Sequence, residues 1–370
     1  VGRGLRTPPA VIYDHLSLRV AGYGAPAPQL NAQGACGVIL VLSANAGIDR
    51  TYEVANFTVG HYHHPRRFRV IPGGKGVNVA RVLRKLGNEV MVTGFAGGNV
   101  GNHLTAMLRA EGIRPEFVKI AEESRLCLNI VDETTRSQTQ VDEVGPLVSP
   151  AELDLLQRQW GKLLRHCKLA VIAGSAPRGV PFEVYTDFIF AAKEARLPVV
   201  LDVREPYLAE AVQAGPTIVK PNLEELSSLV HSELSVPTGV TVAARDLLRH
   251  GIKLVLASLG KQGAIAVTAE AGNWWAKSPA VEQVSPVGSG DAMVAGLIHA
   301  GLRKEGLQGR LRWAVAAGAA NTAKLGAACC EAEEIEKLVP EVKVEQLTEE
   351  GLVQAQPEAP PPAAPQAPQG

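Results

Sequence analysis

Through the middle of the chain, short apolar runs alternate with longer stretches whose apolar residues recur every three or four positions. Apolar runs bounded by Gly, Pro, Asn or Asp read as strands. They fall at residues 37–42, 90–95, 169–173, 199–203, 217–220 and 253–258. The helical period predicts helices over residues 77–86, 101–111, 150–165, 182–195, 222–230, 240–250, 291–301 and 311–324. Alternating β and α segments of these lengths predict an α/β fold, a mostly parallel sheet flanked by helices. Residues 51–70 and 126–141 break the alternation. They read as consecutive extended segments, suited to a small antiparallel sheet projecting from the main one. In such folds ligands sit beyond the C-terminal ends of the strands, where the Gly-rich loops of this chain fall.

The ends differ from the middle. Residues 1–36 scatter Pro and Gly without a period and predict a poorly ordered extension. Residues 351–370 hold six of the 25 prolines and predict a disordered, polyproline-like tail. The 370 residues suit about two domains or one large α/β domain, with a core that needs no disulfide or metal staple. Lys and Arg number 37 against 37 Asp and Glu, so the basic footprint of a nucleic-acid binder is absent. No run of eighteen apolar residues occurs, which argues against a membrane-spanning helix, and the start lacks a secretory pattern. Five cysteines form no C-x-x-C pair, so neither a disulfide framework nor a zinc ribbon is expected. These features predict a soluble protein of a reducing compartment, the cytoplasm. The balanced charge hides an asymmetry. Residues 331–370 carry nine acidic and two basic groups, leaving a mildly basic body that suits a small anionic substrate.

Four motifs carry candidate chemistry. Pro72-Gly73-Gly74-Lys75-Gly76-Val77-Asn78 runs straight into a helix. Its glycines let backbone approach a ligand, the helix start offers free N–H donors, and Asn78 in the first turn can bond a hydroxyl. Val287-Gly288-Ser289-Gly290-Asp291-Ala292 also precedes an apolar helix. Gly288, Ser289 and Gly290 can form an anion hole of successive N–H groups, with Asp291 beside it. The plain alternative makes Asp291 a helix N-cap. In Lys220-Pro221-Asn222-Leu223-Glu224-Glu225, Asn222 and Glu225 share a helix face and can position hydrated Mg²⁺. The alternative is a helix start whose acidic residues favour the dipole. Ser258-Leu259-Gly260-Lys261-Gln262-Gly263 can wrap a nucleotide phosphate or serve as a β-turn. None of the three Gly-Lys pairs is followed by Ser or Thr, and position 293 is Met, so neither a P-loop nor a dinucleotide fingerprint is present. His61-Tyr62-His63-His64 lacks a companion ligand cluster and reads as polar surface. Cys329-Cys330 and Trp274-Trp275 read as packing.

In this order, the motifs resemble those of the PfkB (ribokinase-like) family of carbohydrate kinases, over residues 38–347. Gly73 to Gly87 is similar to the family's first signature and Pro286 to Leu297 to its second, with Pro286 and Ser289 in place of the usual Thr and Ala. Leu42 to Tyr52 resembles the opening of the 1-phosphofructokinase and tagatose-6-phosphate kinase branch, with Ala46 where Pro is usual. Residues 334–344 resemble that branch's closing helix and strand, which places the tail at 348–370.

The resemblance implies a three-layer α/β sandwich with a small β-sheet lid, within about 51–72 and 125–142, that covers the sugar and pairs in a homodimer. It implies ATP- and Mg²⁺-dependent phosphorylation of a sugar phosphate, first of all fructose 1-phosphate, with tagatose-6-phosphate kinase and 6-phosphofructokinase as rivals. A weakly catalytic sugar-phosphate sensor is the alternative of another class. Asp291 is implied as general base, with the N–H groups of Gly288, Ser289 and Gly290 on the transferring phosphoryl group. Asp49, Gly73, Gly74, Lys75 and Asn78 are implied at the sugar hydroxyls, Arg125 at the sugar's phosphate and Ser175 as a further contact. Lys220, Asn222 and Glu225 would serve ATP and Mg²⁺, and Ser258, Gly260, Gly263 and Asn321 would frame the nucleotide. Three departures point to substrate choice: His61, His63 and His64 at the lid entry, Asn99 in its glycine loop, and Asp202-Val203-Arg204-Glu205 where small residues are common.

Overall fold

The computed structural model of the chain describes residues 37–135 and 137–354, so the expectations for 1–36 and 355–370 lie outside the described residues. In chain order the strands are β1 (Val38–Ser43), β2 (Gly47–Val54), β3 (Arg67–Gly73), β4 (Val90–Gly97), β5 (Arg114–Ile120), β6 (Arg125–Asp132), β7 (Gln138–Asp142), β8 (Cys167–Ala173), β9 (Val199–Asp202), β10 (Ile218–Val219), β11 (Leu254–Ser258), β12 (Ala264–Thr268), β13 (Asn273–Lys277) and β14 (Lys343–Leu347). The helices are α1 (Lys75–Lys85), α2 (Gly98–Ala110), α3 (Pro150–Leu164), α4 (Val184–Glu194), α5 (Tyr207–Gln213), α6 (Leu223–Leu229), α7 (Thr238–Leu247), α8 (Ser289–Leu302), α9 (Leu307–Thr322) and α10 (Ala332–Leu338).

Ten strands form the main sheet in the order β14-β13-β12-β11-β10-β9-β8-β1-β4-β5. From β5 across to β11 every ladder is parallel, and β12, β13 and β14 are added antiparallel. β1 shows why both faces are covered. Its run Val38-Ile39-Leu40-Val41-Leu42 is apolar at successive positions, and successive side chains point to opposite faces. Ile39 and Val41 enter a core cluster with Val82 and Leu83 of α1, Val294 of α8 and Ala316 of α9. Leu40 and Leu42 enter the other, with Leu156 and Trp160 of α3 and Phe188 of α4. Helices therefore lie on both faces, the three layers expected. Among the described residues, no helix is long and apolar enough to cross a membrane.

The periodicity missed β5, β12, β13 and α5. β5 is an edge strand interrupted by Pro115, which a sheet tolerates where only one neighbour needs hydrogen bonds. α10 and β14 stand where the resemblance implied a closing helix and strand. Residues 348–354 fold back on β14, with the Gln354 N–H donating to the Gln346 carbonyl at 3.0 Å, so these residues pack against the domain.

A second sheet has the order β3-β2-β6-β7. β2–β3 and β6–β7 are antiparallel as expected, but the central β2–β6 ladder is parallel, so the lid sheet is mixed. The cause lies in the main sheet. β2 continues from β1 and β6 from β5, and these parent strands run parallel, so both lid strands leave in one direction.

Candidate active site

Two helices begin at the C-terminal edge of the sheet on glycine. Gly74 precedes α1, and Gly288 precedes α8 with φ 77°, a left-handed conformation that glycine adopts without strain. Gly288 is therefore the N-cap of α8, and Asp291 is not; it stands in the first turn, two residues inside the helix. There it is 5% exposed, and Asn78 Nδ2 of α1 donates to its Oδ2 at 2.8 Å. Burial pushes the Asp291 carboxyl up to about 6, and the charge of Asp202 adds to this against Lys75, Asn78 and Lys220. The first turn of α8 leaves N–H groups without helical partners. The Ser289 N–H turns to the Pro286 carbonyl at 3.2 Å, and the Ser289 hydroxyl shares a 2.7 Å bond with Thr322 Oγ1. Asn321 braces the same loop: Nδ2 donates to the Val287 carbonyl at 2.8 Å, and Oδ1 accepts from the Cys329 N–H at 3.2 Å. Its amide is thus engaged with the loop before α8 and with Cys329, whereas the resemblance implies it at the nucleotide.

Beside Asp291 stands a charged cluster. Lys75 Nζ lies 2.9 Å from Asp202 Oδ1 and 3.7 Å from Glu225 Oε1, and Lys220 Nζ lies 3.4 Å from the same Asp202 oxygen. Burial alone lowers the Lys75 ammonium, but Asp202, Asp291 and Glu225 outweigh it and hold it above the ordinary lysine value. Burial raises Asp202, and the two lysines bring it below the ordinary carboxylate value. A Cβ at Gly290 would stand 3.4 Å from Lys220 Nζ, so the ammonium lies beside the first turn of α8. The sequence reading placed Asp202 with substrate choice. The structure places it between Lys75 and Lys220, which the resemblance implies at the sugar and the nucleotide. The available signal was a carboxylate closing an otherwise apolar, buried strand.

Asn222 and Glu225 form a capping box on α6. Asn222 Oδ1 accepts from the Glu225 N–H at 2.7 Å, and Glu225 Oε2 accepts from the Asn222 N–H at 2.9 Å. Among the described residues, no three His, Cys, Asp or Glu side chains are grouped to hold a metal. Ser258 ends β11, and Gly260 and Gly263 close the turn into β12, with Leu259 N–H donating to the Gly263 carbonyl at 2.9 Å.

The lid side brings together Asp49, Gly73, Arg125 and Ser175. Asp49 lies half-buried on β2, opposite Ile71 of β3 and Cys127 of β6. A Cβ on Gly73 would stand 2.2 Å from an Asp49 carboxylate oxygen, so only glycine leaves that carboxylate room. Burial pushes Asp49 up to about 6, with Arg125 opposing and Asp142 adding. Arg125 Nε donates to the Asn45 carbonyl at 2.8 Å, and Asn45 Nδ2 reaches Ser175 Oγ at 3.3 Å. Asn45, a residue given no role by the sequence, is thus the link between Arg125 and Ser175. Arg125 also lines an open cavity of about 490 Å³ with Arg178, Glu122, Glu143 and Gly145. His63 Nε2 bonds the Thr58 backbone and its ring meets Phe57 at 5.1 Å, while His61 and His64 are exposed.

A buried carboxylate of raised proton affinity, facing a helix N-terminus and two lysines, can take a proton from a hydroxyl while an anion is held beside it. A family model described as pfkB family carbohydrate kinase matches residues 40–334. The chain is 32% identical over 263 residues to a tagatose-6-phosphate kinase of Staphylococcus epidermidis, covering 70% of this chain and 84% of that enzyme. It is 36% identical over 264 residues to a 1-phosphofructokinase of Rhodobacter capsulatus, covering 71% and 83%. Among solved structures, phosphofructokinase-2 from Escherichia coli in complex with fructose-6-phosphate superposes with a TM-score of 0.76 at 29% identity, over 83% of this chain and 99% of that one.

Proposed function

This chain belongs to the pfkB family of carbohydrate kinases, and we propose that it transfers the γ-phosphoryl group of ATP to fructose 1-phosphate, giving fructose 1,6-bisphosphate. The observation that carries the reading is Asp291, buried at the start of α8 and held by Asn78 across from α1. In this reading Asp291 takes the proton of the attacking sugar hydroxyl. The hydroxyl oxygen then bonds phosphorus, and the bond to the departing nucleotide oxygen breaks. The N–H groups of Gly288 and Gly290, with Lys220 beside Gly290, hold the charge on the transferring group, while the Ser289 N–H is turned to Pro286.

The residues present fit a triphosphate, because the Lys220 ammonium stands beside the first turn of α8, whose start on Gly288 has no side-chain cap. For Mg²⁺ the fit is partial: Asn222 Oδ1 and Glu225 Oε2 are engaged in the capping box and Glu225 Oε1 faces Lys75 at 3.7 Å, so Glu225 would hold the ion by exchanging that ammonium for it. When bound, Mg²⁺ supplies neutralisation of the phosphate oxygens. Asp49 and Asn78 hold sugar hydroxyls, and Arg125 holds the phosphate already on the sugar, a role supported by its place at the start of β6, linked through Asn45 to Ser175. The exposure of Val141 and Tyr62, 55% and 101%, supports the lid as the homodimer contact.

The test is ADP release by the full chain against fructose 1-phosphate, fructose 6-phosphate, tagatose 6-phosphate and ribose. The highest kcat/KM is expected with fructose 1-phosphate. Preference for ribose, or no turnover with any of them, overturns the reading. The pH dependence follows from Asp49 and Asp291, both pushed up to about 6. Each works as the ionised carboxylate, so activity is kept above pH 6 and lost as pH falls through it. KM for the sugar is expected to rise and kcat to fall together below about pH 6. An acid limb near pH 4 would contradict both assignments.

A further inference from the structure

Asp202 ends β9 and is 1% exposed. A carboxylate there loses its hydration, and buried ion pairs are weak evidence of stability, since apolar replacements often do as well. The backbone of Asp202 already ties the strands, its carbonyl accepting from the Gly174 N–H at 2.9 Å. Its side chain does something different. One oxygen takes Lys75 Nζ at 2.9 Å and Lys220 Nζ at 3.4 Å, and the buried Oδ2 has no hydrogen-bond partner among the described residues. Lys75 is the first residue of α1, and Lys220 follows β10, so long stems from two elements converge on one atom. Two ammonium groups drawn to one oxygen repel each other, and Asp202 is the carboxylate that contacts both, while Glu225 reaches Lys75 at 3.7 Å. The titratable groups facing Asp291 are Lys75 of α1, Lys220 beyond β10 and Asp202 itself, with Asn78 as neutral partner.

We propose that Asp202 is a positioning residue: it clasps Lys75 and Lys220 at the phosphoryl-transfer centre and adds a fixed negative charge to the surroundings of Asp291. This rests on the kinase reading above and assigns its electrostatics to a residue outside the recognised motifs. The two cations are held ready before any phosphate arrives, so their ordering does not fall on the transfer step. Burial is the larger cause of the raised proton affinity of Asp291, and the Asp202 charge adds to it against the two ammonium groups.

The test is Asp202→Asn in the full chain, which keeps shape and removes charge. We expect kcat to fall about 10- to 100-fold, as for loss of a preorganised electrostatic contact. In the ligand-free protein, the ¹³C carboxyl signal that Asp291→Asn abolishes should titrate at least about half a pH unit lower, and the acid limb of kcat should follow it. A kcat within about twofold of wild type, or an unmoved Asp291 titration with loss of thermal stability alone, overturns the proposal. If Asp202→Asn is insoluble, Lys220→Met is compared with Lys220→Met/Asp202→Asn, which contain fewer buried charges. The double variant should show the lower Asp291 titration, and equal titrations overturn the proposal. A wild-type chain with no turnover on any sugar phosphate defeats the kinase reading, and the ligand-free titration still decides the role of Asp202.

Discussion

Asp291→Ala is expected to lower kcat about 10²- to 10⁴-fold, the range for loss of a general base. In the proposed reaction the sugar hydroxyl is a poor nucleophile until its proton leaves, and Asp291, buried in the first turn of α8, is the carboxylate assigned to take it. Asn78 orients that carboxylate at 2.8 Å, and burial places its proton affinity near neutrality, where it accepts a proton yet is mostly ionised at pH 7. KM for the sugar phosphate should change little, because Asp49 and Arg125 lie on other elements. The fold should survive. Removing a carboxylate that is 5% exposed relieves a desolvation cost, and Lys75 and Lys220 retain Asp202. Asp291→Asn should show the same loss with better-kept packing. Steady-state ADP release with a thermal melt checks both. Near-normal turnover in a folded variant removes Asp291 from the chemistry.

Arg125→Ala is expected to raise KM for a phosphorylated sugar about 10²-fold while kcat stays within about threefold. An arginine–phosphate contact is charge-assisted and two-pronged, and truncating one partner of such a pair costs about 2–5 kcal/mol. Arg125 Nε is held by the Asn45 carbonyl at 2.8 Å, which aims the guanidinium from the start of β6 into the lid cavity. Arg125→Lys keeps the charge but loses the fork, and should recover only part of the affinity. The guanidinium also opposes the burial that raises Asp49, so its loss should move the acid limb of the sugar KM to higher pH. An unchanged KM would mean that the substrate phosphate binds elsewhere or that the sugar carries none.

Some of this site is legible along the chain because its geometry is local. The two glycine loops announce helix starts, and those starts are α1 and α8. Asn222 and Glu225 are three residues apart, so the spacing that suggested a metal pair equally describes a capping box, and the cap is what the backbone makes. Asp291 shows the limit. A cap and a first-turn base differ by the φ of Gly288, which the spacing does not encode. Asn321, in an apolar helix, does not reveal that its amide closes on Val287 and Cys329. The lid extends the point. Two extended stretches were readable, but the parallel β2–β6 ladder depends on β1 and β5 running together in another sheet.

The strand and helix alternation, the helix starts on Gly74 and Gly288, and the identities of the groups available for chemistry follow from order and spacing along the chain, because hydrogen bonds within a turn reach only three or four residues. The charge state of those groups does not. Lys75 meets Asp202 across 127 positions, and Asn78 meets Asp291 across 213. The proton affinity of Asp291 is set by exclusion of water and by charges brought from α1, β9 and the end of β10. Desolvation and Coulomb interaction act through space, so only the packed arrangement of those elements makes this carboxylate a base near neutral pH.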